Sequence, residues 1–578
     1  SHSKMKKMML TLSASLLCLG LSAGPKTVKI SLMETSDVHG NYFPYDFVNA
    51  TPGKGSLARV TTYVNRQRQT LGRENVVLMD NGDILQGQPS AYFFNYMDTR
   101  SRHMCADVLN YMGYDLATVG NHDVETGHGV YDRWVSQCSF PMLGANVIRT
   151  ADGQPYWKPY HIIERKGVKI AVLGMITPCI PMWLPENLWQ GLHFEDMATI
   201  ARKYMPEMRA KADVVVGLFH SGVGNGTAEF GAEHASISVA RTVPGFDVVF
   251  CGHDHREANL KVVNTEGDTV CVVNPAANAH AVAQADFTIT MKKGKLQGKK
   301  VEARIVNIDD EQPNADFMAH FKPQFDAVKA FTSEQIGVSE TDMVTEPAFF
   351  GPSAFIDFIH QMQLKISGAD ISFAAPLAFD AKIAAGAIHV SDMFKLYAYE
   401  NLLYVMTLSG QEIKDALECS YGRWTNQMQA PTDHLLLFRK NAEQLTDLWQ
   451  RLQNPSFNFD SAAGIRYTVD VTRPVGQRIN IESMADGTPF DLKRTYRVAV
   501  NSYRGNGGGG LLTQGAGIDE RELPKRIVWS TEKDLRFYLM TSIREMGRIH
   551  PQPLNLWKFI PEDWARQARQ RDALLLRH

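Results

Sequence analysis

The sequence predicts a layered α/β domain, then a connecting helix, then a second α+β domain. Three observations carry that expectation. The chain has 578 residues, more than one core of roughly 100–200 residues organises. From Val28 to Asn307, apolar runs of strand length alternate with amphipathic stretches. Asp, Asn and His residues gather just beyond those runs, at the strand ends where α/β sheets bind ligands.

Composition removes several classes of function. At 44% hydrophobic and 21% charged residues the chain can bury a large interior, which excludes intrinsic disorder. Sixty Lys and Arg against 62 Asp and Glu leave a net charge of -2, so no basic excess exists to hold a long nucleic acid. A small anionic substrate at a local site stays open. Beyond the first residues no stretch reaches the roughly 18 apolar residues of a membrane helix. At the start, Lys4, Lys6 and Lys7 precede an apolar run from Met8 to Leu21, and Leu21-Ser22-Ala23 offers small residues for cleavage. Residues 1–24 therefore read as a signal peptide of an exported chain, periplasmic or at the cell surface. Leu17 stands where a lipidated Cys18 would require a small residue. The other six cysteines (Cys105, Cys138, Cys179, Cys251, Cys271 and Cys419) are widely spaced, show no disulfide framework and read for the most part as buried thiols.

Taken in order, the strand-like runs of residues 25–310 are Val28–Met33, Asn75–Met79, Leu116–Val119, Val168–Ile176, Asp213–Phe219, Asp247–Cys251 and Thr269–Val273. Helix-like segments such as Gly55–Gln69 and Met104–Met112 separate them. Charge rises over Met291–Lys300, and Ala315–Thr332 has helical spacing, read as a connecting helix within 311–335. Residues 336–550 carry an amphipathic helix at Ala354–Ile366, a strand-helix pair at Leu403–Glu418 and β-type segments at Ile465–Val471 and Thr495–Val500. After Pro551 an Arg- and Gln-rich tail, 551–578, reads as a peripheral helix.

The strand ends run into Asp37-Val38-His39, Asp80-Asn81-Gly82-Asp83, Gly120-Asn121-His122-Asp123, His220-Ser221-Gly222 and Gly252-His253-Asp254-His255. A single His at a strand end is ordinary. Five such sets in order are hard to explain as five satisfied surface histidines. Nitrogen and oxygen donors without cysteine suit a pair of divalent transition metals, and one Asp carboxylate has oxygens enough to bridge both. Two such ions about 3.5–4 Å apart activate water and clamp a phosphoryl group.

The ordered set D-x-H, G-D, G-N-H-[DE], H-S-G and G-H-x-H resembles the calcineurin-like metallophosphoesterases, and the second domain resembles the C-terminal domain of the 5′-nucleotidase family. The resemblance spans roughly Val28 to Met546. It implies a four-layer sandwich and two divalent ions (Zn, Mn or Co). One ion would be held by Asp37, His39, Asp83 and His255, the other by Asp83, Asn121, His220 and His253. His122 would stand beside the phosphate as a catalytic residue, oriented by Glu125 where many relatives have Asp. It also implies a domain rotation that delivers substrate to the metals.

In the second domain, Phe457-Asn458-Phe459-Asp460 matches a segment whose first aromatic stacks on the base in relatives. Asn501-Ser502-Tyr503-Arg504-Gly505-Asn506, followed by Gly507 to Gly510, matches the family's glycine loop and adds Asn501, Tyr503, Arg504, Gly507 and Gly508 as candidate substrate contacts. Leu511 stands where many 5′-nucleotidases have a second aromatic, so Tyr503, Trp529 or an aliphatic wall would complete the clamp. Ala374-Ala375-Pro376-Leu377-Ala378-Phe379-Asp380 lacks the arginines of typical 5′-nucleotidases. Together with Gly368-Ala369-Asp370-Ile371-Ser372 and the Tyr503-Arg504 pair, it resembles the 2′,3′-cyclic-nucleotide 2′-phosphodiesterase/3′-nucleotidase branch. The expectation is a monomeric hydrolase of nucleotide phosphate esters. Rival readings are a 5′-nucleotidase or UDP-sugar hydrolase, a protein phosphatase, and a non-enzymatic surface nucleotide-binding protein.

Overall fold

In the computed structural model, which describes residues 24–578, the chain divides into two compact units, drawn chiefly from the residues up to Asp326 and from Ala327–His578. The signal peptide read at the start falls on residues outside that range, Gly24 excepted.

The first unit is built on two six-stranded sheets. One runs, in spatial order, Lys295–Asn307, Ala281–Lys292, Lys26–Thr35, Val76–Asp80, Leu116–Thr118, Met142–Leu143. The other runs Ala258–Val263, Thr269–Asn274, Val248–Phe250, Val214–His220, Val168–Ile176, Tyr160–Arg165. Their inner faces meet in one core, where Leu32, Val77 and Leu116 oppose Val172, Val216 and Val248, all fully buried. Each such side chain contributes about 1.5–3 kcal/mol by leaving water. The helix Met197–Lys211 packs Ile200, Met205 and Met208 on the outer face of the second sheet. On the other side the helix Leu57–Leu71, capped by the Ser56 hydroxyl on Arg59 N–H, buries Leu57, Val60 and Val64. The layers are helix, sheet, sheet, helix.

The strands read from the sequence are the parallel, doubly covered ones. Val214–His220 pairs in parallel with Val168–Ile176 and Val248–Phe250, and every one of its residues is buried, so it appears as a continuous apolar run. Four antiparallel strands were not among those read: Tyr160–Arg165, Ala258–Val263, Ala281–Lys292 and Lys295–Asn307. The charged stretch Met291–Lys300 is the tip of the hairpin joining the last two. Its outer strand exposes Lys295, Lys299 and Lys300 on an edge, where lysines discourage pairing with another chain.

The connecting helix is two helices, Ala315–His320 and Lys322–Ser333. Pro323 has no N–H to continue the first, so the chain turns at Phe321 and starts again. Phe317 and Phe321 are fully buried, with Phe317 packed edge-on to Phe43 at 6.1 Å.

The second unit has a five-stranded mixed sheet, Ser461–Ala463, Ile371–Ala374, Thr495–Asn501, Leu403–Ser409, Ile527–Ser530. The helix Gly410–Trp424 leaves it through a capping box: Ser409 accepts Glu412 N–H, and Glu412 accepts Ser409 N–H. The tail forms the helix read from the sequence, Glu562–Leu575, but docked rather than peripheral. Trp557–Ile560 pairs with Ile465–Asp470, and Asp572 on the last helix is fully buried, accepting the N–H groups of Leu435 and Leu436 at 2.8 Å. Its apolar members were masked in the sequence by the Arg and Gln residues of the outward face.

Candidate metal centre and aromatic surface

In the first unit the candidate ligands stand on or just past the carboxyl ends of strands. Lys26–Thr35 leads to Asp37 and His39, Val76–Asp80 to Asp83, and Leu116–Thr118 to Asn121 and His122. Val214–His220 ends on His220, and Val248–Phe250 leads to His253 and His255. The first two loops zip together through Asp37 N–H to Gly82 O at 2.9 Å and His39 N–H to Asp83 O at 2.9 Å. Asp123 then ties the second loop to the third, its carboxylate accepting Asp83, Ile84, Leu85 and Gly120 N–H at 2.8–2.9 Å. The approach is close enough to require glycine: a Cβ on Gly120 would stand 2.2 Å from Asp83 Oδ1.

Five of the seven candidate ligands sit on left-handed backbone, Asp37, His39, Asp83, His253 and His255, with φ between 50° and 75°. Each costs about 1–3 kcal/mol, and such outliers persist where surrounding structure over-determines them, characteristically at functional sites.

The side chains form two groups whose donor atoms lie within 4.8 Å of one another, Asp37–His39–His255 and Asp83–His220–His253. In the first, His39 Nε2 is 3.0 Å from His255 Nε2, and Asp37 Oδ1 is 3.3 Å from His255 Nε2 and 3.8 Å from His39 Nε2. In the second, His220 Nε2 is 3.1 Å from Asp83 Oδ2, and Asn121 Oδ1 lies 3.0 Å from both His220 Nε2 and His253 Nδ1. Ligands about 2.0–2.1 Å from a tetrahedral ion stand about 3.3 Å apart, and these separations straddle that value. The groups abut: Asp37 Oδ1 is 4.0 Å from His220 Nε2. Asp37 Oδ1 is also buried and accepts no hydrogen bond, an orphan a cation would satisfy. The residues fit divalent ions.

The far nitrogens of the rings are held from behind. His220 Nδ1 donates to Asn81 O at 2.6 Å and His39 Nδ1 to Gln86 O at 3.0 Å, which turns both Nε2 atoms to the mouth. His253 is reversed: Nε2 meets Glu233 Oε1 at 2.8 Å, so Nδ1 faces Asn121. Burial alone would lower His220, but the carboxylates of Asp83 and Asp37 push it up to about 10. Burial likewise would raise Asp83, yet His220 and His122 hold it well below the usual carboxylate range. Protons here balance the negative field that ions would balance.

His122 lies at the same mouth, its ring centroid 5.6 Å from His39 and its Nδ1 3.3 Å from Glu125 Oε1. Its backbone N–H donates to Asp83 Oδ1 at 2.8 Å, tying its position to that carboxylate. Asp123, Asn81 and Glu233 were not read from the sequence as site residues. Asp123 follows Gly120-Asn121-His122 and its motif alone gives it no role, while Glu233 lies in a loop with no periodic or motif signal.

In the second unit Phe457 and Tyr503 are both partly exposed, their rings 6.1 Å apart and edge to face at 78°. They are not a parallel sandwich. Gly508 is needed beneath Tyr503, since a Cβ there would stand 2.5 Å from the ring. Leu511 is fully buried and is not a wall of any open clamp. Arg504 also departs from expectation. It is buried at 1% exposure, and its guanidinium donates to Asp460 (2.9 and 2.7 Å), Asn458 Oδ1 (2.9 Å), Gly508 O (2.7 Å) and Phe457 O (3.0 Å). Those bonds use all five of its N–H groups, leaving no donor for a ligand. It ties the Phe457 loop to the glycine loop. Asn501 is similarly engaged, its Oδ1 capping Arg504 N–H at 2.8 Å. Gly507 takes φ 102° at the loop's turn.

Residues 30–257 match the calcineurin-like phosphoesterase family, and residues 333–514 match the 5′-nucleotidase C-terminal domain. The protein of Haemophilus influenzae named 2′,3′-cyclic-nucleotide 2′-phosphodiesterase/3′-nucleotidase is 27% identical, over 94% of this chain and 89% of its own. The Salmonella typhimurium protein of the same name is 27% identical over 96% and 92%. Among solved structures, a putative 5′-nucleotidase from Staphylococcus aureus superposes with a TM-score of 0.73, covering 92% of this chain and 99% of its own at 23% identity. At that identity the likeness is one of fold.

Proposed function

We propose, from the premise that this chain joins a calcineurin-like phosphoesterase domain to a 5′-nucleotidase C-terminal domain, that it acts as a 2′,3′-cyclic-nucleotide 2′-phosphodiesterase/3′-nucleotidase. It is a hydrolase of phosphate esters. The observation that carries the reading is the abutment of two donor groups beside His122, Asp37 Oδ1 of one lying 4.0 Å from His220 Nε2 of the other.

Asp37, His39 and His255 would hold one divalent ion, Asn121, His220 and His253 the other, with Asp83 between them. When bound, the pair supplies Lewis acidity that makes water a nucleophile near neutral pH and neutralises phosphoryl oxygens. The His122 ring stands 5.6 Å from that of His39, with Nδ1 3.3 Å from Glu125 Oε1. From that position the imidazole would donate to a phosphoryl oxygen as charge builds there. Phe457 offers its exposed face to a base, worth about 1–3 kcal/mol and tolerant of base identity. The absence of arginine from residues 374–380 supports 3′ over 5′ selectivity. The basic and apolar pattern of residues 4–21 supports export to the periplasm or cell surface.

A panel of 2′,3′-cyclic AMP, 3′-AMP, 5′-AMP and a UDP-sugar, assayed with Mn²⁺, Zn²⁺ and Co²⁺, tests the reading. The first two should be the best substrates. A preference for 5′-AMP or the UDP-sugar would transfer the chain to the 5′-nucleotidase branch. His122→Ala should cost about 10²–10³ in kcat. Phe457→Ala should raise KM for nucleotides about 5- to 100-fold and leave bis(p-nitrophenyl) phosphate unaffected.

A further inference from the structure

His253 presents a nitrogen on each of two sides. Nδ1 looks into the metal centre, 3.0 Å from Asn121 Oδ1. On the outer side Nε2 belongs to a separate cluster with Glu233 and His234, whose donor atoms all lie within 4.8 Å of one another. Glu233 Oε1 is 2.8 Å from His253 Nε2 and 3.6 Å from His234 Nε2. Those two separations bracket the roughly 3.3 Å between ligands of a tetrahedral ion. The two imidazole rings stand 5.4 Å apart at 35°.

The cluster is built rather than incidental. Ser221 donates its hydroxyl to Glu233 O at 2.6 Å and accepts Ala235 N–H at 2.9 Å, which clamps the backbone on both sides of His234. The His234 ring fills the space over Gly222, where a Cβ would come 2.1 Å from Nδ1. The side chains of Glu233 and His234 are 39% and 41% exposed, so the cluster opens to water and leaves room for a fourth, solvent ligand. Two imidazoles and one carboxylate with an open position form a zinc-type donor set, unlike the oxygen shells that Mg²⁺ and Ca²⁺ require.

We infer that Glu233, His234 and the outer nitrogen of His253 form a third, weaker site for an imidazole-preferring divalent cation such as Zn²⁺, on the rim of the inner pair. The inference rests on the inner-pair reading only in sharing His253. A cation at Nε2 takes the place of the proton there, which leaves to water, so one proton is released as the third ion binds. Because the ring also serves the inner centre, loading the rim slows turnover at high zinc.

Equilibrium dialysis of the full chain against rising free Zn²⁺, with bound zinc measured by metal analysis, tests the site. The wild-type chain should reach two ions per chain and then a third. His234→Ala, at an exposed position, should keep its turnover at low zinc, lose the slowing at high zinc and bind one ion fewer at saturation. Equal saturation of the two proteins would overturn the third site. A total below two in both, with the one-ion difference intact, would count against the inner pair and leave the rim site standing.

Discussion

The metal centre of the first unit and the aromatic surface of the second treat buried charge in opposite ways. At the metal centre, Asp37 Oδ1 is buried with no hydrogen bond, Asp37 and Asp83 crowd His220, and five candidate ligands sit on left-handed backbone. Behind the aromatic surface, Arg504 is as deeply buried, yet each of its N–H groups is satisfied, two of them by the Asp460 carboxylate. A buried group left short of partners marks a place kept for something else. A saturated one marks scaffold. Residue type alone does not separate them, since both regions are rich in Asp, Asn and Gly.

The largest expected effect breaks the comparison at the metal centre. Asp83→Asn should lower nucleotide hydrolysis by more than about 10³-fold, beyond the loss of one donor, because the proposed function sets that carboxylate between the two ions. The same variant should bind less metal by direct analysis. Unchanged metal content together with unchanged rate would remove the centre as described.

Next in size is the scaffold. Arg504→Met leaves Asp460 buried without its partner and should cost about 3–5 kcal/mol of stability, read as a lower midpoint in urea unfolding. If Arg504 bound substrate instead, KM would rise while the midpoint stayed where it was.

The smallest effect compares carboxylates. Asp357, in the second unit and far in sequence from the metal ligands, is raised to about 6 by burial, with the Leu554 N–H at 2.7 Å opposing the shift. The imidazoles that lower Asp37 and Asp83 have no counterpart beside Asp357. The fold therefore holds this proton more tightly than the unfolded chain does. Its stabilising contribution is complete below the unfolded value near 4 and is lost as pH rises to about 6, on the order of 2–3 kcal/mol. Asp357→Asn should flatten that part of the stability-against-pH curve. A wild-type curve already flat between pH 4 and 6 would contradict the assignment.

Much of the site could be read along the chain because its residues are short-range punctuation. Each candidate ligand falls just after an apolar run, and a parallel strand buried on both faces announces itself as such a run. Antiparallel strands were harder. Lys295–Asn307 faces water on one side and carries lysines, so its pattern resembles solvated chain until Ala281–Lys292 pairs with it. The same masking hid Asp572, whose burial depends on where the last helix docks.

By itself the sequence determined the order of the chemistry: which strands form a parallel core and which Asp, Asn and His residues stand at their ends. Those features rest on local periodicity and residue type, which act over a few positions. Only the tertiary structure decided which nitrogen of His253 faces inward, that Glu233 and Asn81 orient the rings, and that Arg504 is spent within the fold. Apart from the Arg504 bond to Gly508 O, those outcomes depend on hydrogen-bond partners 20 to 139 residues apart, whose meeting is set by packing and leaves no trace in local pattern.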